Sequence, residues 1–213
     1  MGKRIVLLGP PGAGKGTLAL QLADELDVPH VATGDMLRAE VAEGTDLGRR
    51  AKQIMDSGEL VSGDIVVEMA VERLSRPDAA RGWILDGFPR DLEQALDFER
   101  QFAGAVPDIA LYMILDTKEI IRRITGRRIC PSGHVYHVES NPPSNPGVCD
   151  EDGLPLSQRD DDTEPVVAKR LEVYRDEIDP LVAHYDEHGE LRRLDASGDA
   201  GAVHDRALAL VSG

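Results

Sequence analysis

The sequence predicts an α/β fold with a central parallel sheet, and three observations carry that prediction. A glycine-rich turn, Gly9 to Thr17, lies between a short apolar run and a helical pattern. Further apolar runs of strand length alternate with helical stretches down the chain. At 213 residues and 41% hydrophobic, the chain can bury a core. Its apolar runs all fall short of the ~20 residues that a membrane span needs.

The first strand is Ile5-Val6-Leu7-Leu8, and the helix after the turn shows Leu18, Leu22 and Leu26 on one face beside Ala19 and Ala23. Glycines in the turn permit backbone angles that a Cβ forbids, so N–H groups converge on an anion at the positive helix end. Lys15 adds a point charge for outer phosphates. Gly9, Gly14 and Lys15 match the G-x4-G-K-[ST] pattern, while Gly16 stands in the Ser/Thr place and Thr17 follows one later.

Val28 to Ala32 reads as a second strand. A helix follows, with either Thr33 or Asp35 as its cap. Helical pattern resumes from Leu47 to Met55 and again from about Asp64 to Leu74. Trp83-Ile84-Leu85-Asp86 is a strand ending in an acid that faces a Mg²⁺ shell. Gly87-Phe88-Pro89-Arg90 then presents Arg90 at the C-terminal ends of parallel strands, where α/β ligands sit. Ile109 to Leu115 is a central strand. The helix after it, about Lys118 to Thr125, ends among Arg122, Arg123, Arg127 and Arg128. Helix-dipole compensation accounts for one or two of these; the rest ask for an anion.

Residues 126–162 are rich in Pro, Gly, Asn, Ser and Asp, with a short β run at Val135 to Val138. So long a structureless loop is out of place inside a compact domain, so it reads as a separate flap. A helix from Glu164 to about His184 carries Arg170, and Pro180 implies a bend or a new first turn there. Leu191 to Leu194 is the last strand, and a helix from Ala200 to Val211 closes the chain.

The G-K-G-T loop, Thr33-Gly34-Asp35-Met36-Leu37-Arg38 and Leu85-Asp-Gly-Phe-Pro-Arg90 together resemble the nucleoside monophosphate kinases, above all the long-lid bacterial adenylate kinases. The resemblance implies a P-loop three-layer sandwich with a five-stranded parallel sheet. It also implies a helical nucleoside monophosphate (NMP)-binding insert at 32–61 and a lid at 126–162. The core is then 1–31, 62–125 and 163–213. ATP is implied at Gly12, Ala13, Gly14, Lys15, Gly16, Thr17, Arg123, Arg127, Val135, Tyr136 and Gly198. AMP is implied at Thr33, Arg38, Glu59, Leu60, Val61, Gly87, Phe88, Pro89, Arg90, Gln94, Arg159 and Arg170. Gln94 reads the AMP base, and Thr33 favours AMP because UMP/CMP kinases usually carry Ala there. Mg²⁺ is held largely through water by Thr17, Asp35 and Asp86. Arg122 and Arg128 face solvent or acidic neighbours.

Many such lids hold zinc through paired Cys motifs. Here Cys149 and Asp152 fit the second half, but Cys130-Pro-Ser-Gly133 lacks the second Cys. His134 can complete a Cys130/His134/Cys149/Asp152 zinc set. Ser132 in a hydrogen-bonded lid, or a disulfide, are the alternatives; a reducing cytoplasm opposes the disulfide.

The expected reaction is MgATP + AMP ⇌ 2 ADP. The ionised AMP phosphate attacks in line without a general base, so catalysis is positioning and charge neutralisation. Lys15, Arg38, Arg90, Arg123, Arg127, Arg159 and Arg170 offset the substrates' charge of about −6, less the two that Mg²⁺ cancels. A UMP/CMP kinase and a non-catalytic nucleotide sensor are the alternatives. A GTPase lacks support, since Thr117-Lys118-Glu119-Ile120 has no Asp where a guanine motif needs one. A net charge of −15 argues against nucleic-acid or anionic-membrane partners. The first strand starts too early to leave room for a secretion signal, so the cytoplasm is expected; the resemblance implies a monomer.

Overall fold

The computed structural model describes residues 3–57, 63–102 and 106–212. Strand β1 (Arg4–Leu8) leads through the glycine turn into α1 (Lys15–Leu26). Next come β2 (His30–Ala32), α2 (Thr33–Glu43), α3 (Asp46–Ser57) and α4 (Gly63–Leu74). Then follow β3 (Trp83–Asp86), α5 (Leu92–Gln101), β4 (Ile109–Ile114) and α6 (Thr117–Thr125). The hairpin β5 (Arg127–Ile129) and β6 (Val135–His137) precedes the long α7 (Glu164–Glu187), β7 (Leu191–Asp195) and α8 (Ala200–Ser212).

The five-stranded sheet has the order β2-β3-β1-β4-β7, with every pairing parallel. Alternation along the strands makes the three layers. Val6, Leu8, Leu85 and Ala110 face a core shared with α4, α5 and α7, which includes Val67, Ala70, Phe98, Ile178 and Leu181. Their neighbours Ile5, Leu7, Ile84, Leu111 and Met113 face Leu18, Leu22, Val203 and Ala207 of α1 and α8. Aromatics are few, and Trp83 and the phenylalanines cluster: Phe98 meets Phe88 edge-on at 5.2 Å and Trp83 at 6.3 Å. Among the described residues, no helix is long and apolar enough to cross a membrane.

Two local expectations fail. Neither Thr33 nor Asp35 caps α2: its N-cap is Ala32, with no side-chain cap. Instead the Thr33 hydroxyl donates to the Gly87 carbonyl at 3.1 Å, and Asp35 accepts from Arg38. Both side chains found stronger partners than the helix end. Nor does a new first turn begin at Pro180, because α7 runs on through it. Pro180 is exposed, while Ile178, Leu181 and Tyr185 on either side are buried in the main core. That packing outweighs the single backbone hydrogen bond that Pro removes.

The segment between β2 and β3 crosses itself closely. A Cβ on Gly48 of α3 would lie 2.0 Å from the Glu40 carbonyl oxygen of α2, so only glycine lets these helices meet as they do. The β5–β6 hairpin forms a separate two-stranded sheet with its own small core of Cys130, Tyr136, Cys149 and Leu156.

Candidate active site

The glycine turn shapes itself without a ligand. Gly14 takes left-handed angles at the N-terminus of α1. Gly12, also at positive φ, sits so near α6 that a Cβ would meet Ile124 Cγ1 at 2.4 Å. Lys15 folds back over the turn, and its Nζ donates to the Gly9 and Pro10 carbonyls at 2.7 and 2.9 Å.

A cavity of about 1140 Å³ opens above the turn. Gly12 to Thr17, Val135, Tyr136 and Gly198 line it, as do Gly87, Pro89, Asp35 and Asp86. All seven expected cations line it too: Lys15 and Arg90 beside the sheet, Arg38 from α2, Arg123 and Arg127 around the end of α6, Arg159 before α7, and Arg170 within it. The cations press on one another. Desolvation pushes the Lys15 amine down to about 8, with Arg90, Arg170 and Arg127 adding to the effect against Asp86. Arg90 is exposed to the cleft; desolvation by the surrounding walls, then Arg170, pushes it down to about 10. Arg159 is pushed down to about 10 in the same way, by desolvation and then Arg38 and Arg127. Each shift records charge that an anion in the cavity would relieve.

Carboxylates and backbone carbonyls hold these cations. Arg127 grips the fully buried Asp162 with both arms, Nε–Oδ2 2.9 Å and Nη2–Oδ1 2.5 Å. Arg170 Nη1 holds Asp161 Oδ2 at 2.9 Å. Asp35 Oδ1 takes Arg38 Nη2 at 2.5 Å and Arg159 Nη2 at 3.4 Å, so it links α2 to the segment after the hairpin. Glu119 Oε1 accepts Arg123 Nε at 2.8 Å, while the other arms of Arg123 reach the Ala13 and Gly198 carbonyls. Arg90 Nε bonds the Gly87 carbonyl at 2.8 Å. Burial works against the Asp86 carboxylate, but His30, Lys15 and Arg90 outweigh it and hold it below the usual range. His30 Nε2, buried, lies 3.5 Å from Asp86 Oδ2.

Several expected residues lie elsewhere. Phe88 is fully buried against Phe98 in the main core, because its ring faces under the sheet and away from the cavity. Thr33 and Gln94 are buried beside the Arg90 loop and do not line the cavity. Glu59, Leu60 and Val61 lie outside the described residues. Arg122 meets acids as expected, Glu119 and Glu139. Arg128 does not: its Nη1 donates to the Thr125 and Arg127 carbonyls that the helix end leaves open.

Sequence reasoning missed His30, Glu119, Asp161 and Asp162. The acidic run beside Arg159 was the available signal for the last two.

In the hairpin segment, four ligand atoms converge. His134 Nδ1 lies 3.3 Å from Cys130 Sγ, Cys149 Sγ and Asp152 Oδ2, and Cys130 Sγ lies 3.6 Å from Asp152 Oδ2. These spacings approach the edges of a tetrahedral S/N/O zinc site, about 3.6 Å. Both cysteines are buried and free, so the disulfide alternative is not what the chain forms here. Tyr136 OH meets Cys149 Sγ at 3.5 Å and accepts the Asp150 N–H at 2.8 Å, bracing the cluster from behind.

The adenylate kinase family model matches residues 7–190. The chain belongs to the adenylate kinase family. An adenylate kinase of Streptomyces griseus is 46% identical over 209 residues, covering 96% of this chain and 95% of that protein. One from Acidothermus cellulolyticus is also 46% identical over 209 residues, covering 97% and 96%. One from Methanothrix thermoacetophila is 41% identical over 210 residues, covering 98% of each. The adenylate kinase match thus spans the glycine turn, the arginine cavity and the cysteine hairpin alike.

Proposed function

We propose that the protein transfers the γ-phosphoryl of MgATP reversibly to AMP, giving two ADP. The observation that carries this is the convergence of seven cations from separate elements on one cavity above the phosphate turn. Lys15 swings from its own loop carbonyls to the outer ATP phosphates. Arg123 and Arg127 take ATP phosphates, Arg38 and Arg90 the AMP phosphate, and Arg159 and Arg170 the moving group. The AMP phosphate oxygen is already ionised at neutral pH, so no side chain has to take a proton. Catalysis then consists of alignment and of neutralising charge. Thr17, Asp35 and Asp86 are the residues that would hold the Mg²⁺ of MgATP, largely through water, and the ion would neutralise phosphate charge there.

Arg38, Arg123, Arg127, Arg159 and Arg170 each exchange a carboxylate for a phosphate as the substrates enter, and Arg90 exchanges the Gly87 carbonyl. Asp35 must let go of both Arg38 and Arg159. Substrate phosphates therefore release the α2 and hairpin segments from one another and draw them onto the nucleotides. We assign 32–61 and 126–162 as the two moving inserts on a core of 1–31, 62–125 and 163–213; their closure expels water, the competing acceptor. Cys130, His134, Cys149 and Asp152 hold a structural zinc that fixes the lid hairpin. The acidic surface, net −15, supports a soluble cytoplasmic monomer acting on ATP, AMP and ADP, without nucleic acid or membrane.

A coupled assay with ATP and a panel of AMP, UMP and CMP tests the reaction. AMP is expected to be the preferred acceptor. Lys15→Met and Arg90→Ala are each expected to cut kcat by about a hundredfold or more with the fold retained by circular dichroism. Near-normal ADP formation in either variant overturns the assignment.

A further inference from the structure

Between α6 and the hairpin the chain turns at Gly126, with Arg123 on the last helical turn before it and Arg127 on β5 after it. The backbone of Gly126 is right-handed helical, φ −85° and ψ −9°, so its angles do not call for glycine. A neighbour does: a Cβ there would lie 2.2 Å from His137 Nε2. The imidazole of His137, on β6, fills the joint and is 8% exposed. Both ring nitrogens are spent. Nδ1 accepts the backbone N–H groups of Glu139 and Ser140, each at 3.1 Å. Nε2 lies 3.1 Å from the Arg122 carbonyl. A backbone N–H only donates and a carbonyl only accepts, so the ring carries its proton on Nε2 and none on Nδ1. One nitrogen shapes the turn after β6. The other ties that turn to the end of α6.

We infer that His137 is a positioning residue for the phosphoryl donor: its imidazole braces the Gly126 joint and so fixes the ATP-facing strand of the hairpin against Arg123. This rests on ATP occupying the cavity between α6 and the hairpin. Val135 and Tyr136, just before His137, line that cavity, and Arg127 stands opposite His137 in the hairpin ladder. Glycine is the freest joint a chain can have. Without a brace, Arg127, Val135 and Tyr136 swing relative to Arg123, and groups displaced by about 1 Å no longer align a phosphate chain. The Arg122–Glu139 ion pair spans the same joint, but on its exposed side, where such pairs contribute little.

The test measures kcat, KM for MgATP and KM for AMP in wild type, His137→Asn, His137→Gln, Gly126→Ala and the His137→Asn/Gly126→Ala double variant. Asn puts an acceptor near the place of Nδ1, so it keeps the turn and loses the tie to α6. Gln reaches further, and its amide N–H can meet the Arg122 carbonyl, so it keeps the tie and loses the turn. KM for MgATP is expected to rise about tenfold in His137→Asn and to stay near wild type in His137→Gln, with KM for AMP little changed in both. A role in the turn alone gives the reverse order. Gly126→Ala keeps the histidine but occupies its seat, and should raise KM for MgATP as His137→Asn does. The double variant should be no worse than the more affected single one, because both lose the same brace. If His137→Asn keeps the wild-type KM for MgATP, or His137→Gln loses as much, the brace is overturned while the ATP reading stands. Additive losses in the double variant overturn it likewise. If the wild type binds no MgATP in titration calorimetry, the donor reading falls and the brace falls with it.

Discussion

The chain inserts two segments between strands of its sheet, and they hold their shape by opposite means. The helical one, α2 and α3, shares the main core. Leu37 and Ala51 are buried in the same cluster as Val67 and Phe88, with Val41 and Ile54 packed against it. The hairpin segment shares nothing with that core. Its interior is Cys130, Tyr136, Cys149 and the partly buried Leu156, and its edges expose Val135, Val138, Val148 and Leu154. An apolar interior this small cannot offset the entropy of ordering its chain. Beside that interior, Cys130, His134, Cys149 and Asp152 bring four candidate metal-ligand atoms together. The helical segment leans on the body of the protein, and the proposed zinc would give the hairpin segment its own support.

The sharpest way to break the contrast is to remove a ligand. Cys149→Ser is expected to lose bound zinc by metal analysis and to melt the hairpin as a separate step in calorimetry. Structural zinc sites contribute on the order of 10 kcal/mol to small folds. kcat/KM for ATP should fall by more than tenfold, while the main transition of the core stays near its wild-type temperature. A hairpin that keeps its protease resistance without zinc would remove the distinction.

Gly48→Ala probes the other segment. The new Cβ would meet a backbone carbonyl at 2.0 Å, so α2 and α3 must part. Overpacking of this kind costs about 1–3 kcal/mol. Because these helices are continuous with the core, the loss should appear in the single main transition and in KM for AMP. A separate low-temperature step in this variant would mean that the helical segment is as independent as the hairpin.

The smallest effect lies where hairpin and core touch. Glu119 is held near a pKa of about 2, first by hydrogen bonding from Arg122 and then by Arg123. Arg122 also reaches Glu139 in the hairpin segment at 3.0 Å. A carboxyl depressed by folding stabilises above its unfolded pKa near 4.5 and loses that contribution as pH falls toward 2. Glu119→Gln should therefore lower the melting temperature at pH 7 by an amount worth about 1 kcal/mol or less, since the pair is partly exposed. The difference from wild type should shrink through this acid range and weaken with salt.

The sheet was legible because its strands are apolar runs and its first turn has a glycine pattern that chemistry constrains. The seven cations were legible too. Their acids were not: Asp161 and Asp162 follow Arg159 in the chain, yet they pair with Arg170 and Arg127, which only folding brings near. The Thr33 hydroxyl misled for the same reason, its partner carbonyl being 54 residues away. Phe88 belongs to a string of ligand-facing neighbours, but the turn after β3 places its ring against Phe98 in the core. Local pattern reports what a residue can do; the partner that wins is decided by tertiary proximity.

The hairpin joins the remainder through one entrance after Thr125 and one exit before Thr163, and it keeps its own interior. A module wired in at two points, and otherwise held by polar contacts such as Arg122–Glu139 and Arg170–Asp161, can be lengthened, shortened or exchanged by recombination without disturbing the sheet. Turnover and heat tolerance of this catalyst can then be retuned by replacing that cassette alone.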